Sequence, residues 1–213
     1  MTRPLVLLGG GGHAKVVAET ALSQGNTIIG YTDLELRPDM TRMFGLRYLG
    51  TDEIFACEGV TDIYLLNGMG SVGKSLIRAE LFVDFNRKGY KFATVVHSSA
   101  IVSPRSNISE GVQIMAGAVI QSGTVIGRNS IVNTGSKVDH DCRIGEHVHI
   151  APGVTICGNV TVGDRVHIGA GSTVIQGITI GENSIVGAGA VILNDIPPNT
   201  LVVGVPGKEV KRW

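Results

Sequence analysis

From Val96 onward the chain places a hydrophobic residue at every sixth position. The series runs Val96, Val102, Ile108, Ile114, Ile120, Ile126, Val132, Val138, Ile144, Ile150, Ile156, Val162, Ile168, Val174, Ile180, Val186 and Ile192, without slip or insertion. A fixed short period marks a repeat architecture, and six residues is the period of a parallel β-helix. Each unit supplies a short strand and a turn, with one β-branched side chain pointing inward. Three units make a coil, and stacked coils join their inward residues into a continuous apolar column. Gly follows the column residue at Gly127, Gly145, Gly163, Gly169, Gly181 and Gly187, which predicts tight corners that use positive φ. A β-sandwich would instead alternate with period two and vary in strand length.

Ahead of the repeat the pattern changes. Leu5 to Leu8 reads as a buried strand that runs into Gly9-Gly10-Gly11-Gly12-His13-Ala14, and Lys15 to Gln24 reads as a helix. Thr27 to Tyr31 is a second strand, ending near Asp33. Strand, glycine turn, helix, strand and an acid is the start of a dinucleotide-binding unit, and Gly9, Gly11 and Ala14 fit G-x-G-x-x-A. Backbone N–H groups at the helix start would face a phosphate. The alternative is a glycine turn that only lets helix and strand pack closely. Further on, Leu46 to Leu49 is predicted as a strand, Asp52 to Ala56 as a short helix and Asp62 to Leu66 as a strand. Ser71 to Lys88 is predicted as a helix, and Phe92 to Val96 as a last strand. This stretch is too short for both halves of a dinucleotide fold, so it fits one mononucleotide half with its ligand near Gly11, Asp33 and Asn67. The boundary falls at the start of the repeat, giving domains 1–95 and 96–213 with a rigid junction. Beyond Ile192, Pro197-Pro198 marks a turn, Val202 to Gly207 an extended piece and Lys208 to Trp213 a polar tail.

Eighteen basic and eighteen acidic residues cancel, which leaves no basic surplus for nucleic acid or anionic membranes. No apolar run approaches a bilayer span, and the first apolar run is too short for a signal-peptide core, so a cytoplasmic protein is expected. Three cysteines without a C-x-x-C pair suggest neither a disulfide framework nor a zinc site.

Ionisable residues gather in one part of the repeat, at Val138-Asp139-His140-Asp141-Cys142, with His147 and His149 following. A histidine between two carboxylates is suited to accept a proton near neutral pH. His140 and His149 are one and a half units apart, so they lie on different faces of a coil and would meet most easily across a boundary between subunits. His147 reads as an exposed turn residue and His167 as packing on the coil exterior. Cys142 and Cys157 read as small buried fillers and not as nucleophiles.

The combination of Gly9 to Lys15, Val132-Asn133-Thr134, Val138 to Cys142 and His149 resembles the bacterial nucleotide-sugar acetyltransferases of the NeuD/PglD type. The resemblance covers nearly the whole chain. It implies an α/β Rossmann-like N-terminal domain followed by an all-β left-handed parallel β-helix of hexapeptide repeats. It also implies a homotrimer with acetyl-CoA in the groove between neighbouring helices and a nucleotide-linked amino sugar as acceptor, with no metal. Carried over to this sequence, His140 is the general base and Asp141 the acid that tunes it. His149 contacts the thioester end of acetyl-CoA, Gly158 N–H is the oxyanion donor, and Ala170 and Ala188 bind the pantetheine arm through their backbone. Gly11, Gly12 and His13 form the phosphate-binding turn, and Asp33 is the acid after the second strand; Thr32 stands where some relatives carry another acid. A 4-amino group would attack the thioester directly. The same frame serves sialic acid O-acetyltransferases, so a hydroxyl acceptor stays open. A zinc lyase using His140, His147, His149 and His167, and a purely structural β-helix, explain less of the sequence.

Overall fold

The computed structural model describes residues 3–56, 62–71, 73 and 76–213. Its front part is a four-stranded parallel sheet in the order β2-β1-β3-β4, with β1 Leu5–Leu8, β2 Ile28–Thr32, β3 Tyr64–Asn67 and β4 Lys91–Phe92. Helices α1 Gly12–Ser23, α2 Pro38–Phe44 and α3 Ile77–Arg87 pack around it, and a 3₁₀ turn spans Asp52–Ala56. Leu5, Leu7 and Leu66 bury one face of the sheet against Ala14, Val17, Ala18 and Ala21 of α1. Val6, Leu8 and Leu65 bury the other against Phe82 and Phe85 of α3. Continuous apolar strands covered on both faces are what a parallel sheet requires.

Three expectations change here. The predicted helix from Ser71 begins only at Ile77, and residues 72, 74 and 75 lie outside those described. Leu46 to Leu49 supplies a single bridge, Tyr31 with Tyr48, and not a strand. Phe92 to Val96 is two strands in two sheets, because β4 pairs with β3 while Val95–Val96 pairs with Gln113–Ile114 of the solenoid.

The rest is a three-faced β-solenoid. Each two-residue strand pairs in parallel with the strand eighteen residues away, as His149 does with His167, so three units do make one coil. The first face holds Val95–Val96, Gln113–Ile114, Ile131–Val132, His149–Ile150, His167–Ile168 and Ile185–Val186. The second runs from Ile101–Val102 to Val191–Ile192, and the third from Asn107–Ile108 to Thr179–Ile180. From Ile114 to Ile192 every column residue is at most 3% exposed, so the column forms one core. A second buried stack stands four residues after each column position. There Thr124, Ser130, Ser136, Cys142 and Ser172 each donate to a carbonyl fifteen residues on. Cys142 thus takes a place that serine takes in neighbouring coils, as its reading as a buried filler predicted, whereas Cys157 is only half-buried.

The glycines after the column serve a different purpose from the predicted one. Gly127, Gly145 and Gly163 do not have positive φ; a Cβ there would come within 2.6 Å of an atom of the next coil. The left-handed positions lie three residues after the column. They are held by glycines such as Gly135 and Gly153 and by Asn129, Asp141, His147, Asn159, Arg165 and Asn183; Asn199, beyond the column, is left-handed as well. The polar tail is also corrected: Lys208–Arg212 forms an antiparallel hairpin with Thr200–Val203 and extends the first face.

The front domain sits on the first face of the solenoid. Thr20 on α1 reaches Met115, and Phe82 on α3 packs edge-on against His147 with ring centroids 5.6 Å apart. Between them runs a buried polar seam. Gln113 donates to Asn67 O (2.7 Å), Asn67 Nδ2 to Asn129 Oδ1 (3.1 Å) and Arg78 Nε to Asn129 O (3.2 Å). Among the described residues no helix is long and apolar enough to cross a membrane.

Candidate active site

The strand ends of the front sheet open onto a cavity of about 750 Å³, lined by Gly11, Gly12, His13, Asp33, Arg37 and Met69 among others. Gly11 caps α1 in an extended conformation, and the first turn carries no acid. A Cβ at Gly11 or Gly12 would meet nothing within 4 Å, so the turn lies open to the cavity. This helix start presents unoccupied N–H groups to an anion. His13 adds no charge. Its Nε2 donates to Gln113 Oε1 at 2.8 Å, and burial, aided by Arg78, lowers its pKa to about 4.

Asp33 sits where the acid after the second strand was expected. Burial alone would raise its carboxyl, but Arg37 and the Gly10 N–H (2.8 Å) hold it below the usual value. The neighbouring Thr32 donates to Asp52 Oδ1 at 2.5 Å. The front domain therefore gathers Gly11, Gly12, His13 and Asp33 around one cavity.

His140 stands elsewhere. It follows the second-face strand Lys137–Val138, on the corner between the second and third faces, while the front domain covers the first. Asp141 takes φ 58°, a left-handed conformation that aspartate tolerates better than most residues. Its Oδ2 lies 2.9 Å from His140 Nδ1. The Asp141 hydrogen bond, then the charge of Asp139, raise the His140 pKa. With Nδ1–H directed at the carboxylate, Nε2 is left to accept a proton. The imidazole is exposed. Gly158 lies one coil on at the same corner, and a Cβ there would come within 2.6 Å of His140 Cε1 and Nε2. Among the described residues Gly158 N–H has no partner.

His149 is apart from His140, on the first face beneath the front domain, as the half-coil offset predicted. It is 8% exposed, and its Nδ1 donates to Ser71 O at 2.5 Å. Burial lowers its pKa to about 4, so Nε2 is unprotonated and accepts from Asn133 Nδ2 at 3.1 Å. Its ring meets His167 edge-on, with centroids 5.0 Å apart. Ala170 and Ala188 are exposed at the corner between the first and second faces, stacked through Gly189 N to Ala170 O at 2.8 Å. Their own N–H groups have no partner among the described residues.

His147 is not the exposed residue predicted. Its side chain is largely buried, with Nδ1 3.0 Å from Asn129 Nδ2 and its ring against Phe82. Residue spacing could not anticipate a domain folding back over that corner. Arg78 was missed altogether, although a signal existed: it shares a helical stripe with Phe82 and Phe85, where a cation is out of place.

A solenoid with period six, fronted by a parallel α/β domain with an open glycine turn, defines a hexapeptide-repeat transferase. The model for bacterial transferase hexapeptide repeats matches residues 105–140, 123–158, 141–176 and 159–194, and that for the PglD N-terminal domain matches residues 4–85. The acetyltransferase domain of PglB from Neisseria gonorrhoeae FA1090 is 35% identical with a TM-score of 0.90, over 98% of this chain and 100% of that one. Its complex with acetyl coenzyme A is equally similar, at 35% identity and a TM-score of 0.90, over 99% and 100% of the two chains. A histidine-to-asparagine variant of perosamine N-acetyltransferase from Caulobacter crescentus, in complex with CoA and GDP-perosamine, is 37% identical over 98% and 97% of the two chains, with a TM-score of 0.88. The chain belongs to the PglD-type hexapeptide-repeat acetyltransferases.

Proposed function

We propose that the protein transfers the acetyl group of acetyl-CoA to the 4-amino group of a nucleotide-linked amino sugar, with His140 as general base. The observation that carries this is the corner itself: an exposed imidazole, its Nδ1 held 2.9 Å from Asp141 and its edge closely approached by Gly158. The nucleotide occupies the front cavity, its phosphates at the Gly11-Gly12-His13 turn and Asp33 beside the second strand. The two kinships that pair an acyl-CoA or CoA with this fold support the donor.

The amine lone pair attacks the thioester carbonyl and the C–N bond forms. The carbonyl electrons move to oxygen, where Gly158 N–H stabilises the oxyanion. His140 Nε2 takes the ammonium proton, the C–S bond breaks, and the proton passes to the departing CoA sulfur. A positioned base contributes about 10²–10⁴-fold, and one oxyanion donor about 2.7–4 kcal/mol of barrier. Because the front domain covers the first face and His140 stands on the opposite corner, the acceptor of one chain meets His140 of another. A homotrimer meets that demand, with acetyl-CoA in the seam along the open backbone of Ala170 and Ala188 and its thioester near His149. CoA release with separate amino-sugar and hydroxy-sugar nucleotides tests the reading. Turnover confined to hydroxyl acceptors would overturn the choice of nucleophile, and a His140→Ala variant with near-normal turnover would remove the base.

A further inference from the structure

Polar side-chain atoms shielded from solvent are ordinarily matched by a partner. Among the described residues two are not, Nη2 of Arg78 and Nδ1 of His167. One belongs to the front domain and the other to the solenoid, yet both residues line a single cavity of about 160 Å³ beside the start of α3. His147, Arg165, Asn183 and Asn199 add to its polar wall.

Arg78 is 3% exposed, and its other nitrogens donate to main-chain carbonyls alone: Asn129 O (3.2 Å), Asn67 O (3.0 Å) and Met69 O (2.7 Å). No carboxylate pairs with it among the described residues. It stands in the first turn of α3, where the helix dipole is positive as well. Burial lowers its pKa to about 9, so it is still charged at neutral pH. Two acids near the cavity pair elsewhere, Glu182 with Arg165 at 3.2 Å and Glu146 with Arg128 at 2.9 Å, while Glu80 in the same turn of α3 and Asp164 near His147 form no ion pair with Arg78. A buried cation with only neutral acceptors lacks its counter-charge.

We propose that this cavity binds a small oxyanion, of phosphate or carboxylate size, between Arg78 Nη2 and Nδ1–H of His167. Neutral imidazole can carry its proton on either nitrogen, and an anion selects the Nδ1–H form. The cavity is too small for a nucleotide and separate from the front cavity, but Arg78 links the two. Its hold on Met69 O fixes a residue that lines the nucleotide site. Occupation therefore stiffens the strand-end loop on which the acceptor rests.

Full-length protein crystallised with selenate, an oxyanion visible by anomalous scattering, locates the site directly. Calorimetric titrations with phosphate and with acetate separate a tetrahedral from a planar ligand. Asn183→Asp sets a carboxylate in the cavity wall while keeping the oxygen that accepts from Arg165 Nε at 2.6 Å. Asn199→Asp repeats the change from another coil, should the first variant fold poorly. The expected result is selenate against Arg78 and His167, with phosphate or acetate binding weakened about tenfold or more in the variants by like-charge repulsion. Ordered water alone in the cavity of selenate-grown crystals, or oxyanion affinity unchanged by both variants, overturns the proposal.

Discussion

The Nδ1–H of His149 donates to the main-chain carbonyl of Ser71 at 2.5 Å, a hydrogen bond that joins the solenoid to the front domain. It fixes the tautomer, because a carbonyl can only accept, and so makes Nε2 an acceptor for Asn133. His149 cannot then donate to a thioester carbonyl in this arrangement. The contact with acetyl-CoA proposed above would then be through packing, or through Asn133, whose amide it holds in place. The same bond tethers the segment next to Gly70, which lines the front cavity. His149→Ala is expected to raise the acceptor KM about tenfold and to cost about 0.5–1.5 kcal/mol of stability, since it removes a part-buried hydrogen bond between the domains. Steady-state kinetics and urea melts on the same preparation check both numbers.

With His140 as the base proposed above, the His140–Asp141 pair would set the pH dependence of the rate. Only neutral His140 can accept a proton, so activity rises with pH through its pKa, which Asp141 and Asp139 hold above the ordinary imidazole value. Asp141→Asn removes the larger of these influences. The acid limb of kcat/KM is expected to move to lower pH, with a reduced plateau because a weaker base drives the transfer less. A limb that stays in place would mean that His140 is not the titrating base.

Gly158 is a test of geometry without a change of charge. The Cβ of Gly158→Ala would come within 2.6 Å of the His140 imidazole, and an exposed ring yields by swinging away. About a hundredfold loss of kcat is expected, since displacing a reacting group by 1 Å can cost that much. The thermal transition should hardly move. Gly163→Ala gives the opposite result: its Cβ would press 2.6 Å from the Glu182 backbone nitrogen of the next coil, costing about 1–3 kcal/mol with little direct effect on kcat.

How far the sequence can be read follows from how local each cause is. The column from Val96 to Ile192 is legible because every sixth residue meets the same interior, and the corner His140-Asp141 because its residues are adjacent in the chain. The glycine turn before α1 is legible for the same reason. What stayed hidden depends on one domain closing over another. The burial of His147 under Phe82, the bond from Ser71 to His149 and the seam of Asn67, Arg78, Gln113 and Asn129 join residues that are distant in the chain. Their polarity argues against burial until both sides of the contact are known. The close coil-to-coil approach at Gly127 was visible as a glycine, but a corner and a stacking contact call for glycine equally.

That hidden interface also governs acid stability. His13 and His149 are held neutral by burial, each with a pKa of about 4 against an ordinary 6.5. Between those values the unfolded chain binds protons that the native protein refuses. Stability is therefore complete above about pH 6.5, falls as pH drops through the window, and stops falling from this cause below about pH 4. Each histidine contributes up to about 3 kcal/mol, because a tenfold change in proton affinity is worth about 1.4 kcal/mol. Urea melts at pH 7.5, 6 and 5 are expected to show a stepwise loss, and His13→Gln should flatten part of it because glutamine takes up no proton. If the loss between pH 7.5 and 5 is the same in wild type and His13→Gln, the neutral imidazole at the seam is not what acid attacks.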